Sequence, residues 1–299
     1  MAQLEHVSDG DIRKLLLSVS PNRGSDLNKL LDEIKPVWLL DRESNEDVFE
    51  ASPGQPNEIR MGLKCSKRLQ VHAYAAAVIL SSVGRPKPER DQLLAPVDQM
   101  LNWAVGTDVS RWLTAGGRQL PDGHVLRATD DELPNDALPQ LSPQHKLLGM
   151  GLFKCASGFI LLHELGHLKL GHSYKVGDPS KLQEKEADQF AADWMTAAAS
   201  PSSGSDRETD PLCAVFGIAI ALLWLTVINV YFGRTKSKTH PEGYDRLFQV
   251  LDRIINPDDE EEYSAVWQSV CTLLFIHMRA AGYDFDESDA AQMQGDPRD

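Results

Sequence analysis

The stretch HELGHLKLGH, His163 to His172, follows directly on the apolar run SGFILL. Three histidines and a glutamate therefore sit at the end of a segment that has to be buried. Burying ionisable groups without partners is costly, so any fold adopted by this chain must bring partners to this spot. A metal ion suits imidazole and carboxylate together. On a helix, residues i and i+4 share a face. His163 and His167 thus present two imidazoles side by side, at the spacing a zinc ion needs. Glu164 stands next to the first, where it can take a proton from water at the metal.

The helix that carries this motif is well marked. Ser142 is a helix N-cap residue with Pro143 at the first helical position, and Gly171 is a stop signal. A second helix is expected from about DPSKLQ, where Ser180 and Gln183 have capping-box spacing, through EKEADQFAADW. Catalytic zinc commonly takes three protein ligands. His172 is one candidate for the third, but it follows Gly171, and the pattern with a glycine seven and a histidine ten residues after His163 fails at Leu170 and Ser173. A surface or supporting histidine is the plainer reading. Glu184 is the better candidate: with Asp188 it lies on a small-residue face with Ala191 that can approach the first helix. Glu186 is about 200° round that helix, on its wetter side. Asp188 can accept the free N–H of a ligating histidine. The competing reading is a charged face on an ordinary helix.

Around this core the chain reads as one domain over 1–299. Residues 1–140 carry short helices (GDIRKLLLSV, DLNKLLDEI), a strand (KPVWLLD), a hairpin flanking PGQP, and a long helix from SKRLQV to Gly84. PVDQMLNWAVG and DVSRWLTAGG read as two further helices. The Pro- and Asp-rich stretch 119–143 reads as a surface loop. Residues 141–283 form a zinc-binding helical core, and 284–299 an acidic flexible tail. The fold class is α+β, mainly α-helical, with a small N-terminal β-sheet. Leu212–Phe232 carries no charge over 21 residues. It is either a membrane span or a helix wrapped by its neighbours. A single crossing would put the downstream segment THPEGYDR on the opposite side from HELGH, which favours the wrapped helix.

Charge narrows the partners. The net formal charge is −14, of which residues 257–299 supply −9. Nucleic acid is an unsuitable partner, because phosphate contacts need clustered Lys and Arg. The four cysteines are far apart with no CxxC pair, which argues against a disulfide framework and points to a reducing, cytoplasmic setting. The charged N-terminus has no signal-peptide h-region.

HELGHLKLGH with EKEADQFAADW resembles the gluzincin-type zinc peptidases with HExxH on one helix and ExxAD on the next. The neighbouring families are ImmA/IrrE, the HtpX-like proteases and the phage-exclusion, Lit-type peptidases. THPEGYDR resembles an element of the HtpX branch, but length and mid-chain motif fit the Lit type best. The resemblance implies a zincin-like core and Zn2+ held by His163, His167 and Glu184, with Glu164 as general base. It also implies a protein substrate: the elongation factor EF-Tu in Lit-type enzymes, transcriptional regulators in IrrE-like ones. An activating protein is a further implied partner. Tyr244, His240 and Arg246 are candidates for stabilising the oxyanion; alternatively, His240-Pro241 is a turn and Arg246 makes a structural ion pair. The N-terminal strands are expected to pair an extended substrate or to cover the core. The rivals are a membrane-bound HtpX-like protease and a non-catalytic, metal-stabilised regulatory module.

Overall fold

The computed structural model describes residues 4–41, 49–54, 56–114, 141–172, 181–196, 211–231, 243–255 and 260–280. The N-terminal part supplies a four-stranded sheet: β1 (Leu4–His6), β2 (Val37–Asp41), β3 (Phe49–Ser52) and β4 (Glu58–Gly62). The spatial order is β1-β2-β4-β3. β2 and β4 run parallel at the centre, and β1 and β3 pair antiparallel at the two edges. β3 and β4 are the hairpin around PGQP, with Ala51 opposite Ile59. β4 ends earlier than its apolar pattern suggests, because Leu63 already opens a helix.

Two short helices, α1 (Asp9–Val19) and α2 (Gly24–Ile34), lie between β1 and β2. Each buries one stripe, Ile12, Leu16 and Val19 on the first and Leu27, Leu30, Leu31 and Ile34 on the second, the spacing of an amphipathic helix. α3 (Leu63–Ser82) is buried on nearly all sides. α4 (Lys87–Thr114) is one helix where the sequence reads as two, and it carries Pro96 inside. A proline removes one backbone donor and bends a helix, but here Val97, Met100, Leu101 and Ala104 bury a common stripe that holds the segment together.

The C-terminal part is helical: α5 (Pro143–Leu170), α6 (Lys181–Thr196), α7 (Pro211–Tyr231), α8 (Gly243–Ile254) and α9 (Glu260–Ala280). α5 is the axis, with α3, α6 and α7 packed along it and α1 and β3 lying against it. The apolar cluster runs from Ile12 on α1 to Met278 on α9 and includes both parts of the chain. The uncharged α7 sits inside: Ile218 to Trp224 are at most 2% exposed, packed between α3, α5, α6 and α8. Gly217 allows this, since a Cβ there would stand 2.2 Å from Cys155 Cβ on α5. Among the described residues, α5 is the helix long and apolar enough to cross a membrane, and 67% of that stretch is buried within the protein.

Candidate metal centre

The site is built on the last two turns of α5. Ser142 begins this helix as expected, its hydroxyl accepting from His145 N–H. Gly171 ends it in the left-handed conformation, φ 68°. From Cys155 to His167 the burial is continuous, and it takes in His163, Glu164 and His167. α6 comes close because residue 166 is glycine. A Cβ there would lie 3.1 Å from Phe190 Cδ1 and 3.3 Å from Ala187 Cα, tighter than ordinary contact. The far end of α6 is tied down by Ser20, whose hydroxyl donates to Trp194 O, and by Arg23 stacked over the Trp194 ring.

This approach delivers Glu184. His163 Nε2 and His167 Nε2 are 3.0 Å apart. Glu184 Oε2 is 3.6 Å from the former, and Oε1 is 3.5 Å from the latter. Zn–N and Zn–O bonds of about 2.0–2.2 Å in a tetrahedral site put ligand atoms about 3.3 Å apart. The three separations lie within a few tenths of an ångström of that spacing, with the two carboxylate distances measured to different oxygens of Glu184. Among the described residues, these three form the one cluster of metal-ligating types compact enough for an ion. The donor set, two imidazoles and a carboxylate, is of the kind that holds catalytic zinc.

The ligands are held from behind. Asp188 Oδ1 lies 2.9 Å from His163 Nδ1. Arg246 on α8 grips Asp188 with two bonds, Nε to Oδ2 and Nη2 to Oδ1, each 2.7 Å. Its Nη1 reaches Glu184 Oε2 at 3.1 Å. Arg246 thus makes a buried ion-pair network with the α6 carboxylates. On the other side, His167 Nδ1 meets His172 Nδ1 at 2.9 Å, and His172 Nε2 meets Glu186 Oε2 at 3.1 Å.

Electrostatics favour a cation here. With the imidazoles neutral and all three carboxylates ionised, Glu164, Glu184 and Asp188 would outnumber the one guanidinium by two, and buried charge demands compensation. Burial works against a charge on His163, but Asp188 and Glu184 outweigh it and raise its pKa to about 10. Positive charge at this imidazole is therefore stabilised. Burial, then the neighbouring His163, lowers His167 to about 3, so it is a neutral donor. Burial opposes ionisation of Glu184, yet His163, Arg246 and His167 hold its carboxyl well below the usual range. Asp188 is depressed in the same way, with Arg246 the strongest influence against its burial.

Glu164 differs. Burial, aided by Glu184, raises its pKa to about 7, although His163 and a backbone N–H pull it down. That N–H is Ala51's, which donates to Glu164 Oε2 at 2.7 Å. Because Ala51 spends its N–H on Glu164, that group points away from β4, out from the edge of the sheet. The edge strand β3 therefore runs past the site with its backbone aimed at the base. A carboxyl with a pKa near neutrality, beside a metal-sized cluster, is suited to move a proton.

The fold thus gathers His163, Glu164, His167, Glu184, Asp188 and Arg246. His240 and the Tyr244 side chain lie outside the described residues, as does the Ser180 capping position. The sequence reading missed two things: the Ala51 contact, which no local pattern signals, and the His172–Glu186 contact. The second had a signal. Gly171 as a left-handed helix end turns the next residue back toward the last helical turn.

A family model described as Peptidase U49 matches residues 73–270. A curated relative, the "Cell death peptidase" of Escherichia coli (strain K12), is 26% identical over 295 residues, covering 93% of this chain and 90% of the relative. No solved structure matches.

Proposed function

The chain belongs to the Peptidase U49 family, and on that premise we propose that it is a zinc-dependent endopeptidase cleaving an intracellular protein. The observation that carries the reading is the His163–His167–Glu184 cluster with Glu164 beside it. Held there, zinc supplies Lewis acidity toward a peptide carbonyl and acidifies water.

The chain's own residues do the rest. Glu164, with its pKa near 7, accepts a proton from the attacking water and passes it to the leaving amine. Ala51 N–H fixes one oxygen of that carboxylate, which leaves the other to meet the water. Asp188 fixes the ring of His163, and Arg246 fixes Asp188. The outer edge of β3 suits an extended substrate that pairs by strand addition through groups other than Ala51 N–H, which Glu164 holds. Tyr244, His240 and Arg246 remain the candidates for the oxyanion. Arg246 could serve only by exchanging part of its present ion pair for the substrate oxygen.

The biological setting proposed is bacterial phage defence or a stress response in the cytoplasm. The name of the Escherichia coli relative, a peptidase of cell death, supports it, since death of an infected cell limits a phage. The proposed substrate is an elongation factor or a transcriptional regulator, with an activating protein, and without nucleic acid or membrane as partner. Expression of the active and Glu164→Gln forms in a bacterial host, with proteome-wide mapping of new protein N-termini, tests this. The active form should yield a small set of cleavages absent with Glu164→Gln. Identical N-termini from both, under infection as well as without it, would refute the reading.

A further inference from the structure

His172 touches no metal-facing atom, yet it is buried, and its only described polar contacts are His167 on one side and Glu186 on the other. We infer that His172 is a positioning residue: it fixes the tautomer and orientation of His167 by accepting from His167 Nδ1–H, and is itself held by Glu186. This rests on the proposed metal site.

The proton positions follow from the cluster outward. His167 Nε2 faces His163 Nε2 and Glu184. If that nitrogen offers its lone pair to an ion, the ring proton sits on Nδ1. His167 is 1% exposed, so no solvent reaches that N–H, and its acceptor within 2.9 Å is His172 Nδ1. An accepting Nδ1 in a neutral ring leaves the His172 proton on Nε2. That is the atom 3.1 Å from Glu186 Oε2, which accepts it. Both ring N–H groups of this relay then meet an acceptor, and it ends on a half-exposed carboxylate. The reverse assignment would put the His167 proton on Nε2, the atom the ion needs.

The backbone builds this arrangement locally. Gly171 N–H donates to Leu168 O and His172 N–H to His167 O, the paired bonds of a Schellman helix end. The left-handed Gly171, φ 68°, is what brings His172 back beneath His167. The two ligating histidines are thus supported differently: His163 directly by Asp188, and His167 through a second imidazole. Supporting partners of metal ligands typically matter by about 10–100-fold in affinity.

The test is zinc affinity, measured by chelator competition on the full chain, together with thermal unfolding of the metal-free protein. Wild type should bind one zinc. His172→Leu should bind about 10–100-fold more weakly. His172→Asn should recover most of that loss, because its side-chain oxygen sits near the position of Nδ1 and can accept from His167. Rescue by His172→Asn, with metal-free melting temperatures of the two variants alike, supports positioning. Equal zinc affinity in wild type and His172→Leu overturns it, as does equal weakening by the two substitutions. Glu186→Ala should weaken binding in the wild-type background by a smaller factor. Added to His172→Asn it should have no effect, because that side chain has no Nε2–H to offer. An equal loss in both backgrounds overturns the Glu186 link. Failure of wild type to bind zinc at all would instead remove the metal site itself.

Discussion

Glu164→Gln should stop proteolysis and at the same time stabilise the metal-free fold. Burial raises the Glu164 pKa to about 7 from an ordinary 4.5. The native state therefore binds more protons than the unfolded chain between those values, and stability falls as pH rises through that window. The shift of about 2.5 units corresponds to about 3 kcal/mol at 1.36 kcal/mol per unit. This destabilisation is absent below about pH 4.5 and complete somewhat above pH 7. Gln is uncharged at every pH, nearly isosteric, and keeps an oxygen to accept from Ala51 N–H. In chelator-treated protein, urea unfolding should show little difference between the two forms near pH 4.5. Gln should gain up to about 3 kcal/mol at pH 8. The same variant should lose about 10²–10⁴-fold in rate with zinc still bound, as expected for loss of a general base. A catalytic group kept at a cost to stability is a familiar trade. Gln less stable than wild type at pH 8, or a stability gap independent of pH, would falsify the account of Glu164 as a carboxyl strained by burial.

Other outcomes follow from the same geometry. Glu184→Gln should lose zinc and activity, and Asp188→Asn should fall between it and wild type by about 10–100-fold; chelator competition ranks the three. Gly217→Ala should destabilise by about 1–3 kcal/mol, because the new Cβ would stand 2.2 Å from Cys155 Cβ and 3.0 Å from its backbone carbon; an unchanged melting temperature would contradict the close α5–α7 contact. The stacked, buried pair His72 and His277 should weaken the fold in acid. Burial lowers His277 to about 4 and His72 well below its ordinary value. The unfolded chain therefore takes up more protons as pH drops below 6.5, costing about 3 kcal/mol for His277 by pH 4. His277→Asn, which keeps a donor for Leu273 O, should flatten that dependence.

The sequence by itself determined whatever depends on neighbours along the chain. The limits of α5 follow from Ser142, Pro143 and Gly171, since capping is a matter of a few adjacent backbone groups. The pairing of His163 with His167 follows from helical periodicity. So does the choice of Glu184 and Asp188 over Glu186 for the inward face of α6. β1 was not legible, because its three residues are all exposed and only pairing with β2 makes them a strand. α4 reads as two helices around weak local signals, and packing of its buried stripe makes it one.

Tertiary structure alone decided how the site is completed. Ala51 is 113 residues from Glu164, and Arg246 is 58 from Asp188. Nothing in either local sequence fixes such meetings, which depend on how β3 and α8 dock on the core. Glu186 shows the limit most clearly. Its helical phase places it on the wet side of α6, as the sequence indicates, and it is half-exposed there. Yet the reversal of the chain at Gly171 brings His172 to it, so a residue read as pointing away from the site is joined to it through two imidazoles. Periodicity fixes the direction of a side chain on its own helix. What stands in that direction is set by the packing of other segments.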